Sequence, residues 1–203
     1  MSSSATPERA GPGRPSTGAR ERILDAALEV LKSDGYAGTT VAKVAARAGE
    51  NKALISYHFG SKQGLIAEAG RELGRMITAD VLDGLEGAAT VEDVVRGGVD
   101  GVWRILERDA RVARVYFDLN AVSVVEDDVR GVMREIKDQW RTVLARLLRQ
   151  AGVPAPSAAT GAVIMLAANE GLCLEWIERG DTAELSRARE LMVGATAAAV
   201  LAA

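Results

Sequence analysis

Groups that can do chemistry are concentrated in Ala48 to Lys62, AGENKALISYHFGSK, where Lys52, Ser56, Tyr57 and His58 place a cation, a hydroxyl, a phenol and an imidazole on one short stretch. Leu54, Ile55 and, one helical turn on, Phe59 give the same stretch an apolar side. A helix this short is not stable alone. Its apolar side must be held by neighbours, which leaves the polar side to face something other than a core. Catalysis is a poor fit. His58 is the only histidine and Cys173 the only cysteine among 203 residues, which removes a histidine-based triad, a Cys/His zinc site and an intrachain disulfide. There is no Gly-rich phosphate loop either. The chain reads as a non-enzyme with no cofactor and no metal, and Cys173 as a small buried hydrophobe.

The helix instead has the equipment to touch a polyanion. Net charge over the whole chain is −3, but residues 1–64 carry nine Lys and Arg against six Asp and Glu, and the remainder carries 16 against 22. Only the first part can approach nucleic acid comfortably. Residues 1–17, rich in Ser, Pro, Gly and Ala, read as a disordered basic arm; Arg14, and Arg20 just beyond it, are candidates to reach a DNA groove or phosphates. The absence of an apolar core in this start, and a most apolar run (residues 162–168) too short to cross a bilayer, predict a cytoplasmic protein with no membrane partner.

The elements that must position the short helix follow from periodicity. A first helix over residues 18–34 has Ile23, Ala26, Ala27, Val30 and Leu31 on one face and Gly35 as its stop. Thr40 caps a second over 41–48, Gly49 closes it, and Asn51 caps a third from Lys52; two short helices joined by a tight turn have the spacing of a helix-turn-helix. Ser61 caps a fourth over 62–82, expected to be the sole connector to the rest. Further helices are expected over 90–106, 110–124, 126–151 and 156–179, with a last one opening near Asp181. About nine helices and no strand result, an all-α chain divided into a helix-turn-helix unit, 18–64, and a C-terminal helical domain, 65–203. The last two helices are rich in small and apolar residues on nearly every side, which favours a homodimer joined through about residues 156–201.

From these motifs the sequence resembles the TetR family of one-component transcriptional regulators. The resemblance covers residues 18–66 and is carried by TT-V at the start of the second helix, the Ala-Gly turn, Tyr-His-Phe and Gly-Ser-Lys. It implies an all-helical homodimer whose two heads bind successive major grooves of a DNA operator, with a C-terminal domain supplying dimer interface and ligand cavity. Position by position, it places Lys52, Ala53 and Leu54 at the front of the recognition helix and Ser56 and Tyr57 further along. Thr40, His58 and Lys62 fall where the family contacts phosphates; Thr40 and Lys62 also stand at helix N-termini, which favour anions. Because Leu54 shares the apolar side, Lys52, Ala53, Ser56 and Tyr57 are left to read the groove. Three departures stand out. Glu50 replaces a Val, putting a negative charge near DNA; Ser56 replaces a Tyr; Gly64 replaces a capping Glu, predicting a looser start to the fourth helix.

For the ligand cavity the candidates are Trp103, Tyr116, Phe117, Asn120, Met133, Trp140, Met165, Asn169, Cys173 and Trp176, about a third of which are expected to line it. Glu170 and Glu175, charges inside an apolar helix, either select a cationic or hydroxylated effector or pair with an Arg across the dimer. The function these features predict is a repressor released from a pseudo-palindromic operator by an unknown small-molecule effector. Its competitors are a DNA-binding activator or constitutive regulator without an effector and, far behind, a helical enzyme.

Overall fold

The computed structural model describes residues 18–202; the arm over 1–17 and its Arg14 lie outside these residues. Eight helices and no strand occur among the described residues: α1 (Ala19–Gly38), α2 (Val41–Ala48), α3 (Lys52–Phe59), α4 (Lys62–Asp83), α5 (Val91–Val122), α6 (Asp127–Gln150), α7 (Ala155–Arg179) and α8 (Ala183–Ala202). The two helices expected over 90–106 and 110–124 are one, α5, interrupted at Asp109, whose backbone is non-helical at φ −156°, ψ 89°. Thr90 and Asp93 open α5 with a reciprocal capping box. Gly35, expected to stop α1, turns the chain at φ 69°, after which one more helical turn follows.

Two apolar clusters make the core. The first joins α1, α2 and α3 through Ile23, Leu31, Val44, Ile55 and Phe59 to Leu65, Ile66 and Leu73 of α4, and continues into α5 and α6 through Val112, Leu119, Met133 and Ile136. The second joins Val94, Val95 and Leu106 of α5 to Leu148 of α6, Ala162 and Cys173 of α7 and Val193 and Val200 of α8. The boundary expected at 64/65 therefore falls inside the first cluster and not between two cores.

The helix-turn-helix unit is also joined to the rest by more than α4, contrary to the expectation of a sole connector. Gly35 frees the Tyr36 backbone N–H, which donates to Asp118 Oδ2 of α5 at 2.5 Å, and Lys32 of α1 reaches Asp109 at 3.5 Å. The Arg111 guanidinium, followed by the Arg111 N–H and Lys32, holds the Asp109 carboxyl down at about 2 despite partial burial. A chain of ion pairs ties α1 to α4 and α6: Arg20 with Glu68 at 2.7 Å, Glu68 with Arg71 at 2.5 Å, and Arg71 with Glu135 at 3.0 Å.

One helix among the described residues, α7, is long and apolar enough to cross a membrane, which the short run over 162–168 did not suggest. Its apolar residues split between two sides: Ala158, Ala162, Met165 and Cys173 are buried in the core, and Val163, Ile164 and Leu174 are exposed.

Candidate nucleic-acid interface and ligand cavity

Three side-chain caps set the short helices. Thr40 Oγ1 accepts from the Lys43 N–H at 3.2 Å, Asn51 Oδ1 from the Leu54 N–H at 2.8 Å, and Ser61 Oγ from the Gly64 N–H at 3.0 Å. Gly49, at φ 68°, supplies the left-handed turn between α2 and α3. With these ends fixed, α3 buries Ile55 and Phe59 and half-buries Leu54, and exposes Lys52, Ala53, Ser56 and Tyr57 on its other side. Tyr57 is 74% exposed, a large ring left without apolar cover. Lys52 has no ion-pair partner among the described residues.

The neighbouring basic residues are mostly spent. Arg22 pairs with Glu50 at 2.5 Å, Lys43 with Asp34 at 2.6 Å, and Arg47 lies 3.7 Å from Glu29. The Arg22 pair corrects the expectation for Glu50: its carboxylate is tied to α1 instead of standing bare beside the recognition helix. Arg20, besides holding Glu68, lies over the Phe59 ring at 5.5 Å; it braces the end of α3 against α1 and α4. Lys62 lies over the Tyr36 ring at 5.1 Å. His58 packs edge-on between the rings of Tyr57 and Phe59, and its Nε2 is buried without a partner, so a phosphate contact from the ring as it lies falls to Nδ1. The start of α4 is not loose. Its Ser61 cap is formed, and a Cβ at Gly64 would stand 2.2 Å from the Phe59 carbonyl oxygen, so the glycine is what allows α3 and α4 to approach.

A cavity of about 110 Å³, the candidate ligand site, lies between the two apolar clusters and is walled by α4 to α8. Of the ten candidates, Tyr116, Phe117, Trp140, Met165, Asn169 and Cys173 line it, more than the third expected. Trp103, Asn120, Met133 and Trp176 do not. Trp103 is buried beneath the Arg189 guanidinium, 5.0 Å away; Met133 belongs to the first cluster and Trp176 packs on the second; the Asn120 carbonyl accepts from Ser123. Periodicity marks such residues as inward-facing but does not separate a wall from a filled core.

Glu170 also lines the cavity. It accepts from the Tyr116 hydroxyl and pairs with Lys137 of α6 at 2.9 Å, so its partners lie within its own chain. Glu175 is exposed and pairs with Arg179, one turn on, at 3.4 Å. Thr78 of α4, a cavity residue the sequence reading missed, accepts from Trp140 Nε1 at 2.7 Å and donates to the Gly74 carbonyl at 2.7 Å. A lone Thr in the apolar face of α4 was the available signal, as was Lys137 one turn before Trp140. Burial, reinforced by Glu170, keeps the Tyr116 phenol well above its usual range, hence a donor. Burial first and Glu170 second push the Cys173 thiol up to about 12. At pH 8 its thiolate fraction is then about a thousandfold below that of a free cysteine. The native protein should leave Cys173 unreacted with a chromogenic disulfide over minutes, and the unfolded chain should react at once; prompt labelling of the native protein would mean that the thiol is not buried as described. Among the described residues no group of three His, Cys, Asp or Glu side chains is placed to hold a metal.

Comparison with known proteins finds relatives for both the N-terminal and the C-terminal parts of the chain. Residues 23–69 match the family described as bacterial regulatory proteins, tetR family, and residues 92–201 match the BetI-type transcriptional repressor, C-terminal. The HTH-type transcriptional regulator BetI 1 of Chromohalobacter salexigens is 28% identical over 177 residues, covering 85% of each chain. Among solved structures, a TetR-family transcriptional regulator from Rhodococcus sp. superposes with a TM-score of 0.74 at 24% identity, covering 91% of this chain and 99% of that one. The Bacillus subtilis regulator FadR, in complex with stearoyl-CoA, superposes at 0.71 and 19% identity, covering 88% and 98%. With the second of the two matches spanning more than half its length, the chain belongs to the TetR family of bacterial transcriptional regulators and carries a C-terminal domain of the BetI repressor type.

Proposed function

We propose that this regulator is a repressor that binds a pseudo-palindromic operator as a homodimer and leaves it when a small molecule occupies the cavity between α4 and α8. The observation that carries the DNA half is the exposed side of α3, where Lys52, Ala53, Ser56 and Tyr57 stand free while Ile55 and Phe59 anchor the helix. The groove is read by these four residues, with Thr40, Lys62 and His58 gripping flanking phosphates and Arg20 bracing the head. Arg14, outside the described residues, extends the grip from the arm. The dimer forms through α7 and α8, whose outward sides carry Val163, Ile164, Leu174 and Leu191, and where Gly171 and Gly194 face open space that a partner helix can enter closely.

Release follows by linkage: a ligand that binds better to the DNA-incompetent spacing of the heads weakens DNA binding by the same factor. Two routes run from cavity to head. One is α4, with Ile77 and Thr78 in the cavity wall and Lys62 at its start. The other is α5, where Phe117 lines the cavity and the next residue, Asp118, accepts from the backbone N–H of Tyr36, whose ring lies under the Lys62 ammonium. Removing a charged hydrogen bond of this kind costs about 1.5–3 kcal/mol. Asp118→Ala should therefore lower the melting temperature by roughly 3–12 °C and change operator affinity without ligand; a variant that melts earlier yet binds and releases the operator like the wild type would leave α4 as the lever.

Selection of DNA from a random pool by the wild-type protein tests the whole reading. Enrichment of a pseudo-palindrome with half-sites about 10 bp apart, or a multiple of that, together with higher expression of a reporter behind that sequence when the regulator is deleted, is expected. An asymmetric site argues against the symmetric dimer, and a fall in reporter expression would make the protein an activator.

A further inference from the structure

The cavity's polar groups, taken one at a time, say what kind of molecule it admits; this inference rests on the reading of the cavity as the effector site. Its walls are aliphatic and aromatic apart from Thr78, Tyr116, Trp140, Asn169 and Glu170. Four of these five are already engaged within the chain. Trp140 Nε1 donates to Thr78, Thr78 donates to the Gly74 carbonyl, and the Tyr116 hydroxyl and Lys137 ammonium converge on Glu170 Oε1. Among the described residues Glu170 is the only charged one in the wall, and Lys137 at 2.9 Å cancels it. A cationic ligand would have to displace that ammonium, and an anionic one would meet the carboxylate.

Asn169 is the exception. Among the described residues its Nδ2 reaches only the Gly98 carbonyl, at a long 3.5 Å, and its Oδ1 is buried with no partner. Exchanging the two amide atoms does not repair this, because the oxygen would then face the Gly98 carbonyl oxygen. An acceptor stands unfilled on a residue of the wall of an apolar space, covered as the side chain lies. The volume, about 110 Å³, is of the order of a cavity of about 150 Å³ known to take a benzene ring.

We infer that the cavity takes an uncharged molecule of one ring or a short chain bearing a single hydroxyl or N–H, which donates to Asn169 Oδ1, and that Lys137 determines this choice by neutralising Glu170. A filled acceptor distinguishes such a ligand from its isostere without a donor by about tenfold in affinity. An aliphatic lining distinguishes it from charged analogues by desolvation.

Calorimetric titration of the full-length protein with p-cresol, 4-methylanisole, toluene, benzoate and benzyltrimethylammonium tests this. The expected order places p-cresol about tenfold tighter than toluene and 4-methylanisole, with both ions weaker still. In Asn169→Leu the p-cresol preference should fall to about one, and in Lys137→Met benzyltrimethylammonium should gain at least tenfold. The wild-type series needs no variant to fold. Equal binding of p-cresol and toluene, tighter binding of either ion than of p-cresol, or no binding of p-cresol would overturn the inference. Operator affinity measured beside these titrations separates the two levels. If benzoate or benzyltrimethylammonium releases the operator and p-cresol does not, the ligand class is wrong and the effector reading stands. If p-cresol binds in the expected order without altering operator affinity, the ligand class stands and the effector reading falls.

Discussion

Replacing Lys52 and Tyr57 together with alanine should weaken binding to the selected operator by roughly 10³-fold while leaving the fold unchanged. Both side chains lie on the exposed side of α3, and good contacts to base edges contribute about 1–3 kcal/mol each, so losing two at the middle of that range amounts to about three decades. Neither residue supports the core. Surface substitutions of this kind change stability by about 0.5 kcal/mol or less, and alanine is at least as good a helix former. The single variants separate the roles. If Lys52 contacts phosphate, Lys52→Ala weakens specific and nonspecific DNA alike and reduces the salt dependence of binding by about one ion. If it reads a base, the loss is confined to the operator. An unchanged affinity in the double variant, with the melting temperature also unchanged, would mean that α3 does not read the groove.

Gly64→Ala should be the most damaging single substitution at the head. The added Cβ would lie 2.2 Å from the Phe59 carbonyl oxygen; the oxygen is backbone and the position of a Cβ is set by its own backbone, so no side-chain rotation relieves the clash. Either the first turn of α4 or the last turn of α3 must move. The Ser61 cap is made to the Gly64 N–H, and the Phe59 ring is buried under Arg20, so movement in either direction disturbs a fixed contact. Overpacking of this kind costs about 1–3 kcal/mol, or about 2–12 °C in melting temperature for a chain of this size, and the displaced recognition helix should lose operator affinity as well. Gly131→Ala in α6 is the control: its added Cβ meets nothing within 4 Å, and relief of glycine's flexibility in a helix should raise the melting temperature slightly. Equal effects from the two substitutions would remove the argument for a required close approach at Gly64.

The head was more legible in the sequence than the cavity, for a physical reason. Caps and turns are local. Thr40, Asn51 and Ser61 each take the expected N–H three residues on, and the spacing of Leu54, Ile55 and Phe59 defines which side of α3 is buried. What the sequence did not disclose depends on residues far apart in the chain. Glu50 is a stray negative charge in the local sequence, and its partner Arg22 lies 28 residues earlier. Gly64 looked like a missing cap because its near contact is a carbonyl, which has no signature of its own. Asp118 holds Tyr36 across 82 residues, and Lys137 neutralises Glu170 across two helices. Periodicity identified Trp103 and Met133 as inward-facing, and they are buried, but a wall residue and a packed residue share the same period. The break at Asp109 was visible as a gap in the pattern; that the gap spans a single residue within α5 was not.

Methylation protection of guanine N7 on the selected operator tests most directly the claim that α3 of each subunit enters a major groove. The prediction is two blocks of protected guanines whose centres lie about 10 bp apart or a multiple of that, with protection lost in the Lys52→Ala, Tyr57→Ala double variant. Retained guanine reactivity throughout an operator that gel shift shows to be bound by the wild-type protein would contradict it.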